Sequence, residues 1–184
     1  MAAFVAVLSE VSNMLLSRRQ LFACLAACTT VLAVAPAAHA LDKPKGKVVL
    51  TVSGKISQSN APGKVEFDMD MLAALPQHSF TTMTPWYKEP RKFTGPLLRD
   101  VLAAAGVQGK LIKAVALNDY KAELPVDDSA KFPVVLARLM DDKPMPVRDK
   151  GPLFIVYPYD TDEALRSERY YNRSAWQLKS LEIE

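Results

Sequence analysis

Cysteine is scarce in this chain and confined to one end of it. The 184 residues hold two, Cys24 and Cys28, and none beyond them. After residue 28, therefore, no disulfide can form, no thiolate is available to a metal, and no cysteine nucleophile exists. Histidine is almost as rare: His39 and His78 are the only two, so a metal site of the usual Cys and His type has almost no ligands to draw on. Charge of one sign is also lacking. With 23 Lys and Arg against 20 Asp and Glu, nothing in the balance points to a nucleic-acid surface.

What the N-terminus does have is one uncharged stretch, Leu21 to Ala38, placed directly after Ser17-Arg18-Arg19-Gln20. That is the order of a signal peptide, and Ala38-His39-Ala40 supplies the small-x-small pattern of a cleavage site before the polar Leu41-Asp42-Lys43-Pro44-Lys45. A membrane-spanning helix needs about 20 apolar residues. This stretch is shorter, rich in Ala and Thr, and broken by Pro36. We therefore expect residues 1–40 to be a cleaved leader and the protein to be periplasmic. Arg18-Arg19-Gln20-Leu21-Phe22 also has the order of a twin-arginine signal, and Met14 is an alternative start. Removing residues 1–40 leaves 144 residues and takes away Arg18, Arg19 and Glu10, so 21 basic residues face 19 acidic ones. That length suits one domain, residues 41–184, with a core of its own, as a monomer or weak dimer.

The pattern along residues 41–184 is of many short strands and two short helices. Lys47 to Gly54 is β-branched and ends at glycine, and Val65-Glu66-Phe67 resumes a strand after the turn-rich residues 57–63. Asp68 can cap a helix, Met69 to Leu75, that Pro76 stops. Ser79 to Met83 reads as a strand. Thr84 to Thr94 has no period and two prolines, so a loop is expected there. Gly95-Pro96 opens a second helix, Leu97 to Ala105, with proline in its first turn and Gly106 after it. Further strands are expected at 111–116, 120–125, 134–140 and 153–157, with turns at Asn118-Asp119, Asp127-Asp128-Ser129 and Asp141-Asp142-Lys143-Pro144, and a closing strand over 176–184. No internal repeat or low-complexity segment interrupts this α+β, mostly β, arrangement.

The order of these phrases resembles the molybdopterin-binding domain of the sulfite-oxidase type. Met71-Leu72-Ala73-Ala74-Leu75-Pro76 leads to the central loop, and Phe93-Thr94-Gly95-Pro96-Leu97-Leu98-Arg99-Asp100-Val101-Leu102 follows it. Asp119-Tyr120 to Leu124-Pro125, Val135-Leu136-Ala137 with its acidic turn, and Gly151-Pro152-Leu153-Phe154-Ile155-Val156-Tyr157-Pro158 complete the series, with Leu181-Glu182-Ile183 at the end. The resemblance implies a compact, mostly β domain and a cysteine bound to molybdenum about four residues before the loop tryptophan. Counting back from Trp86 gives Thr82, with Met83 beside it. A threonine hydroxyl is far too weakly acidic to replace a thiolate, and a thioether carries no charge. The lysine-tryptophan pair that the family often shows near its end is altered here to Trp176-Gln177.

The scaffold with its metal ligand missing is similar to periplasmic pterin-binding regulators of the PruR-like kind. That resemblance implies a non-catalytic receptor for a free, non-metallated pterin, which relays its ligand state to a membrane-bound cyclic-di-GMP signalling enzyme. The competing implication is an enzyme, a molybdenum-cofactor oxidoreductase of the sulfite-oxidase type holding molybdopterin.

A pterin is a flat bicycle that wants an aromatic or guanidinium plate on each face and directed hydrogen bonds at its edge. Trp86 and Tyr87 are large rings in an otherwise polar loop, and Trp86 is expected to stack on the ligand or else to plug the core beneath the loop. Arg91, with Lys92, could reach the ligand carbonyl or remain solvated. Asp119 could pair with two ligand donors or simply make a turn, and Tyr120 follows it with a hydroxyl and a ring. Arg148 and Lys150 precede the strand at Pro152, where the resemblance puts a ligand-facing loop. Tyr159 is a candidate for the second face, and Arg173 belongs to the cluster Arg169-Tyr170-Tyr171-Asn172-Arg173-Ser174, which is otherwise a surface loop. His78 is expected on the surface rather than as a base.

Overall fold

The computed structural model describes residues 41–184; the expected leader, residues 1–40, lies outside the described residues. Strand β1 (Val48–Gly54) buries Leu50 and Val52 and turns Val49, Thr51 and Ser53 outward, the period-2 pattern of a sheet with one face on the core. It pairs with β2 (Lys64–Asp68). At Gly54, φ is +94°, and an added Cβ would sit 2.1 Å from the Ile183 carbonyl oxygen, so only glycine lets the neighbouring strand approach there.

Asp68 then starts helix α1 (Met69–Ala74) as its N-cap, one carboxylate oxygen accepting the Met71 N–H at 2.8 Å. The other oxygen accepts the N–H groups of Lys45 and Gly46, both at 2.8 Å. These backbone donors hold the Asp68 carboxyl below its ordinary range.

Strands β3 (Gln77–Thr82) and β4 (Arg91–Pro96) pair antiparallel, followed by α2 (Leu98–Ala104). Next come β5 (Leu111–Ala116), β6 (Lys121–Pro125), α3 (Val126–Lys131), β7 (Val135–Ala137), β8 (Leu139–Met140), β9 (Lys143–Pro144) and β10 (Phe154–Val156). Helix α4 (Glu168–Asn172) and strand β11 (Leu178–Ile183) end the chain.

Three sheets result: a five-stranded one in the order β2-β1-β11-β5-β6, a four-stranded one in the order β3-β4-β8-β9, and the pair β10-β7. The only parallel neighbours in the first sheet are β1 and β11. An isolated bridge from Leu97 to Val135 connects the end of β4 to β7, and another from Phe154 to Trp176 ties β10 to the approach of β11. One hydrophobic core spans these sheets, with Leu50, Phe67, Leu98, Ile112, Leu136 and Leu181 fully buried in it. No helix among the described residues is long and apolar enough to cross a membrane.

The α+β, mostly β architecture is the expected one, with corrections. Four α-helices, not two, are present among the described residues. Asp127-Asp128-Ser129, read as a turn, lies inside α3, where acidic residues favour a helix first turn. The expected loop from Thr84 to Thr94 stops at Pro90, because Arg91 to Thr94 complete a central strand between β3 and β8. The expected strand at 134–140 divides at Arg138 into β7 and β8, which serve different sheets. Pro96 ends β4 instead of entering α2, whose N-cap is Leu97.

Candidate functional site

The loop between β3 and β4 is pinned at both ends. At its start Thr82 is 1% exposed; its hydroxyl accepts the Asp160 N–H at 3.2 Å and donates to the Met83 carbonyl at 3.3 Å. The Met83 N–H donates back to the Asp160 carboxylate at 2.7 Å. At its far end, Arg91 donates to Asp141 and Lys92 to Asp142, each at 2.8 Å. Both aspartates have positive φ in the tight turn joining β8 to β9.

Between these anchors Trp86 turns inward. Its ring meets Phe154 and Trp176 edge-on with centroids 5.4 Å away, Tyr171 at 6.1 Å and Tyr159 at 6.3 Å. Tyr87 lies beside it, half-buried, donating its hydroxyl to Asp149 at 3.0 Å with the Arg91 guanidinium 5.5 Å from its ring centroid. Desolvation and that carboxylate raise the Tyr87 hydroxyl well above its ordinary range.

Lys150 completes the group from the opposite side. Its Nζ is 4.0 Å from the ring centroid of Trp176, 5.5 Å from that of Trp86 and 5.8 Å from that of Tyr87. Desolvation lowers the Lys150 ammonium from its ordinary pKa. Gly151, next in the chain, allows the loop to pass close beneath: an added Cβ would fall 1.9 Å from the Met145 carbonyl oxygen. Trp176 also borders a cavity of 230 Å³ shared with Ala116, Asn118 and Tyr120. Two buried side-chain polar atoms lack a hydrogen-bond partner among the described residues, Thr84 Oγ1 and Arg91 Nε. Both bracket the segment that carries Trp86 and Tyr87.

The family model for the oxidoreductase molybdopterin binding domain matches residues 41–161. The chain belongs to that family. No curated protein matches the chain. The matched residues of this molybdopterin-binding domain include Trp86, Tyr87 and Lys150, whereas Trp176 and Arg173 lie beyond them.

A pterin and a metal make different demands on such a domain. Half-buried rings and an ammonium without a hydrogen-bond partner are groups of the kind a flat, hydrogen-bonding ligand uses. For molybdenum, Thr82 offers a buried hydroxyl already engaged by Asp160 and Met83, and this neutral oxygen is a poor substitute for thiolate. No group of three His, Cys, Asp or Glu side chains among the described residues is arranged to hold a metal ion.

The sequence-predicted residues divide accordingly. Trp86, Tyr87 and Lys150 come together, Arg91 reaches them through Tyr87, and Tyr120 shares a small cavity with Trp176 alone of the group. Asp119 does not join: at φ +64° it makes the β5–β6 turn, and its ion pair with Lys179 lowers its carboxyl. Arg148 sits exposed in the single turn Val147–Asp149 and makes no hydrogen bond or ion pair among the described residues. Tyr159 offers no second face, since it is 1% exposed, backs Trp86 and shares a hydrogen bond with Ser174. Arg173 is held elsewhere, bonded at 2.8 Å to the buried Asp128, whose same oxygen accepts the Tyr157 hydroxyl at 2.8 Å. His78 is exposed on β3, as expected.

Trp176 is the residue that sequence reasoning placed only in a closing strand. Its signal was the altered lysine-tryptophan pair. The lysine over its ring comes instead from residue 150, on another loop.

A concavity of 680 Å³ lies on the outer face of the five-stranded sheet, between Val48, Val49, Leu117, Val147, Pro152 and Lys179. Its lining mixes apolar side chains with Lys47, Thr51, Ser53, Lys179 and Ser180, and none of Trp86, Tyr87, Lys150 or Trp176 borders it.

Proposed function

We propose that this domain is a non-catalytic pterin receptor: it takes the organic bicycle of a molybdopterin-like ligand, free of metal. The observation that carries the reading is Thr82. A hydroxyl that is buried and engaged on both sides stands where the resemblance calls for a molybdenum-bound thiolate. The rings of Trp86, Tyr87 and Trp176 and the ammonium of Lys150 then serve ligand binding alone.

Export supports a periplasmic setting for this receptor, argued from Arg18-Arg19 ahead of the uncharged stretch and from Ala38-His39-Ala40 after it. The resemblance to PruR-like regulators extends the proposal to a partner, the periplasmic region of a membrane-bound cyclic-di-GMP signalling enzyme. Calorimetric titration of the purified protein with an oxidised pterin tests the binding step. Saturable binding of one pterin per chain is expected, and no heat of binding up to the solubility limit of the pterin contradicts it.

A further inference from the structure

At the far end of the loop Arg91 has Asp141 and Lys92 has Asp142, whereas Lys88 and Arg148 are exposed to solvent. Lys150 has no such carboxylate partner. Its ammonium makes no hydrogen bond or ion pair among the described residues, and the adjacent Asp149 carboxylate, one oxygen of which accepts the Tyr87 hydroxyl, acts on it only through space. Three aromatic rings are its surroundings, and the nearest, Trp176, has the ammonium 4.0 Å from its centroid.

The backbone under this side chain is fixed. Lys150 has φ +63° and Gln177 has φ +50°, the Gln177 N–H donates to the Lys150 carbonyl at 3.0 Å, and the Gln177 side-chain amide donates to the Val147 carbonyl at 2.6 Å. Movement at this point therefore belongs to the lysine side chain. Stacked rings lie about as far from a ring face as this ammonium does, so a ligand ring and the Lys150 Nζ cannot both occupy that face of Trp176.

We propose that Lys150 is the built-in occupant of the space over the Trp176 ring beside Trp86 and Tyr87, the recess of this inference, and that it selects flat ligands with an acceptor edge while excluding flat cations. A cation over aromatic rings with no carboxylate partner is held by a modest attraction, weak enough for an incoming ring to displace. Once displaced, the ammonium stays tethered beside the ligand edge, where a carbonyl or ring-nitrogen acceptor receives its hydrogen bond. A cationic ligand meets a like charge that no carboxylate neutralises by direct contact. The inference rests on the pterin reading for the ligand's identity but not for the exclusion of cations.

Calorimetry on the purified protein with two probes, an oxidised neutral pterin and N-methylacridinium, decides it. Lys150→Met is expected to keep the thermal midpoint near that of the wild type. It should bind the pterin about tenfold more weakly and the acridinium about tenfold more tightly, a factor of ten in each direction being what one charge-assisted contact supplies. Lys150→Arg should behave like the wild type with both probes. Should Lys150→Met fail to fold, Lys150→Gln provides the same removal of charge. Unchanged affinity for either probe overturns the inference while leaving the pterin reading standing. If the wild type binds no pterin, that reading falls, and the acridinium affinities alone decide whether Lys150 guards the recess.

Discussion

The carbonyl of Lys150 accepts the backbone N–H of Gln177 at 3.0 Å, and both residues have positive φ. Non-glycine residues in that conformation carry strain of about 1 kcal/mol each, which the surrounding structure must offset. Here the Gln177 side chain contributes by donating to the Val147 carbonyl. The pair thus fixes Trp176 against the Lys150 loop, and the recess depends on it.

Gln177→Ala removes that donor and leaves the strain. Stability should fall by about 1–2 kcal/mol, and pterin affinity should fall with it although the Gln177 side chain bonds to Val147 and not to the recess. Chemical denaturation and calorimetry on one preparation measure both. A variant of unchanged stability contradicts the bracing role.

Trp86 is both a wall of the recess and a hub of the core. With four rings packed edge-on against it, Trp86→Ala should cost about 3 kcal/mol of stability. Trp86→Phe, which keeps an aromatic plate, should cost less than half as much. Thermal unfolding of the two variants distinguishes a packed hub from a loosely held surface ring, for which both would be nearly neutral.

Asp128 receives the Tyr157 hydroxyl and the Arg173 guanidinium on one oxygen, tying α3 to β10 and to the end of α4. Asp128→Ala leaves a buried hydroxyl and a partly buried cation without their acceptor. A loss of about 3 kcal/mol is expected, with pterin affinity preserved, because the network lies away from the recess. Loss of pterin binding in a folded Asp128→Ala protein would return Arg173 to the site.

Acid should act through Asp68. Three backbone N–H groups place its folded-state pKa below the ordinary 3.8. Its contribution is therefore complete above the unfolded pKa and is lost as pH falls through the folded one. The wild-type thermal midpoint should drop below about pH 4 more steeply than that of Asp68→Asn, and parallel curves for the two would refute the assignment.

How much of this was legible in the sequence follows from distance along the chain. Asp68 capping α1 and Gly106 closing α2 were readable because cap and helix are neighbours. Helix α3 was not, since six residues are too few to show a period and Asp127-Asp128-Ser129 also spells a turn. In the site, Trp86 and Tyr87 stood out as rings in a polar loop, and Lys150 by its place before Gly151-Pro152. Trp176 joins them only through pairing between β10 and the approach to β11, a tertiary fact. Arg173 was misplaced for the same reason: its carboxylate partner, Asp128, lies 45 residues away. The strain at Lys150 and Gln177 has no sequence signature, because neither residue type favours positive φ.

The central claim is that this molybdopterin-binding domain holds a pterin without a protein-bound metal. It is tested most directly by measuring molybdenum and pterin together, in protein saturated with molybdopterin cofactor and then freed of unbound cofactor. The account predicts about one pterin per chain that is retained equally well when molybdenum is omitted. Retention that requires about one molybdenum per chain, and that is lost on Thr82→Ala, would contradict it.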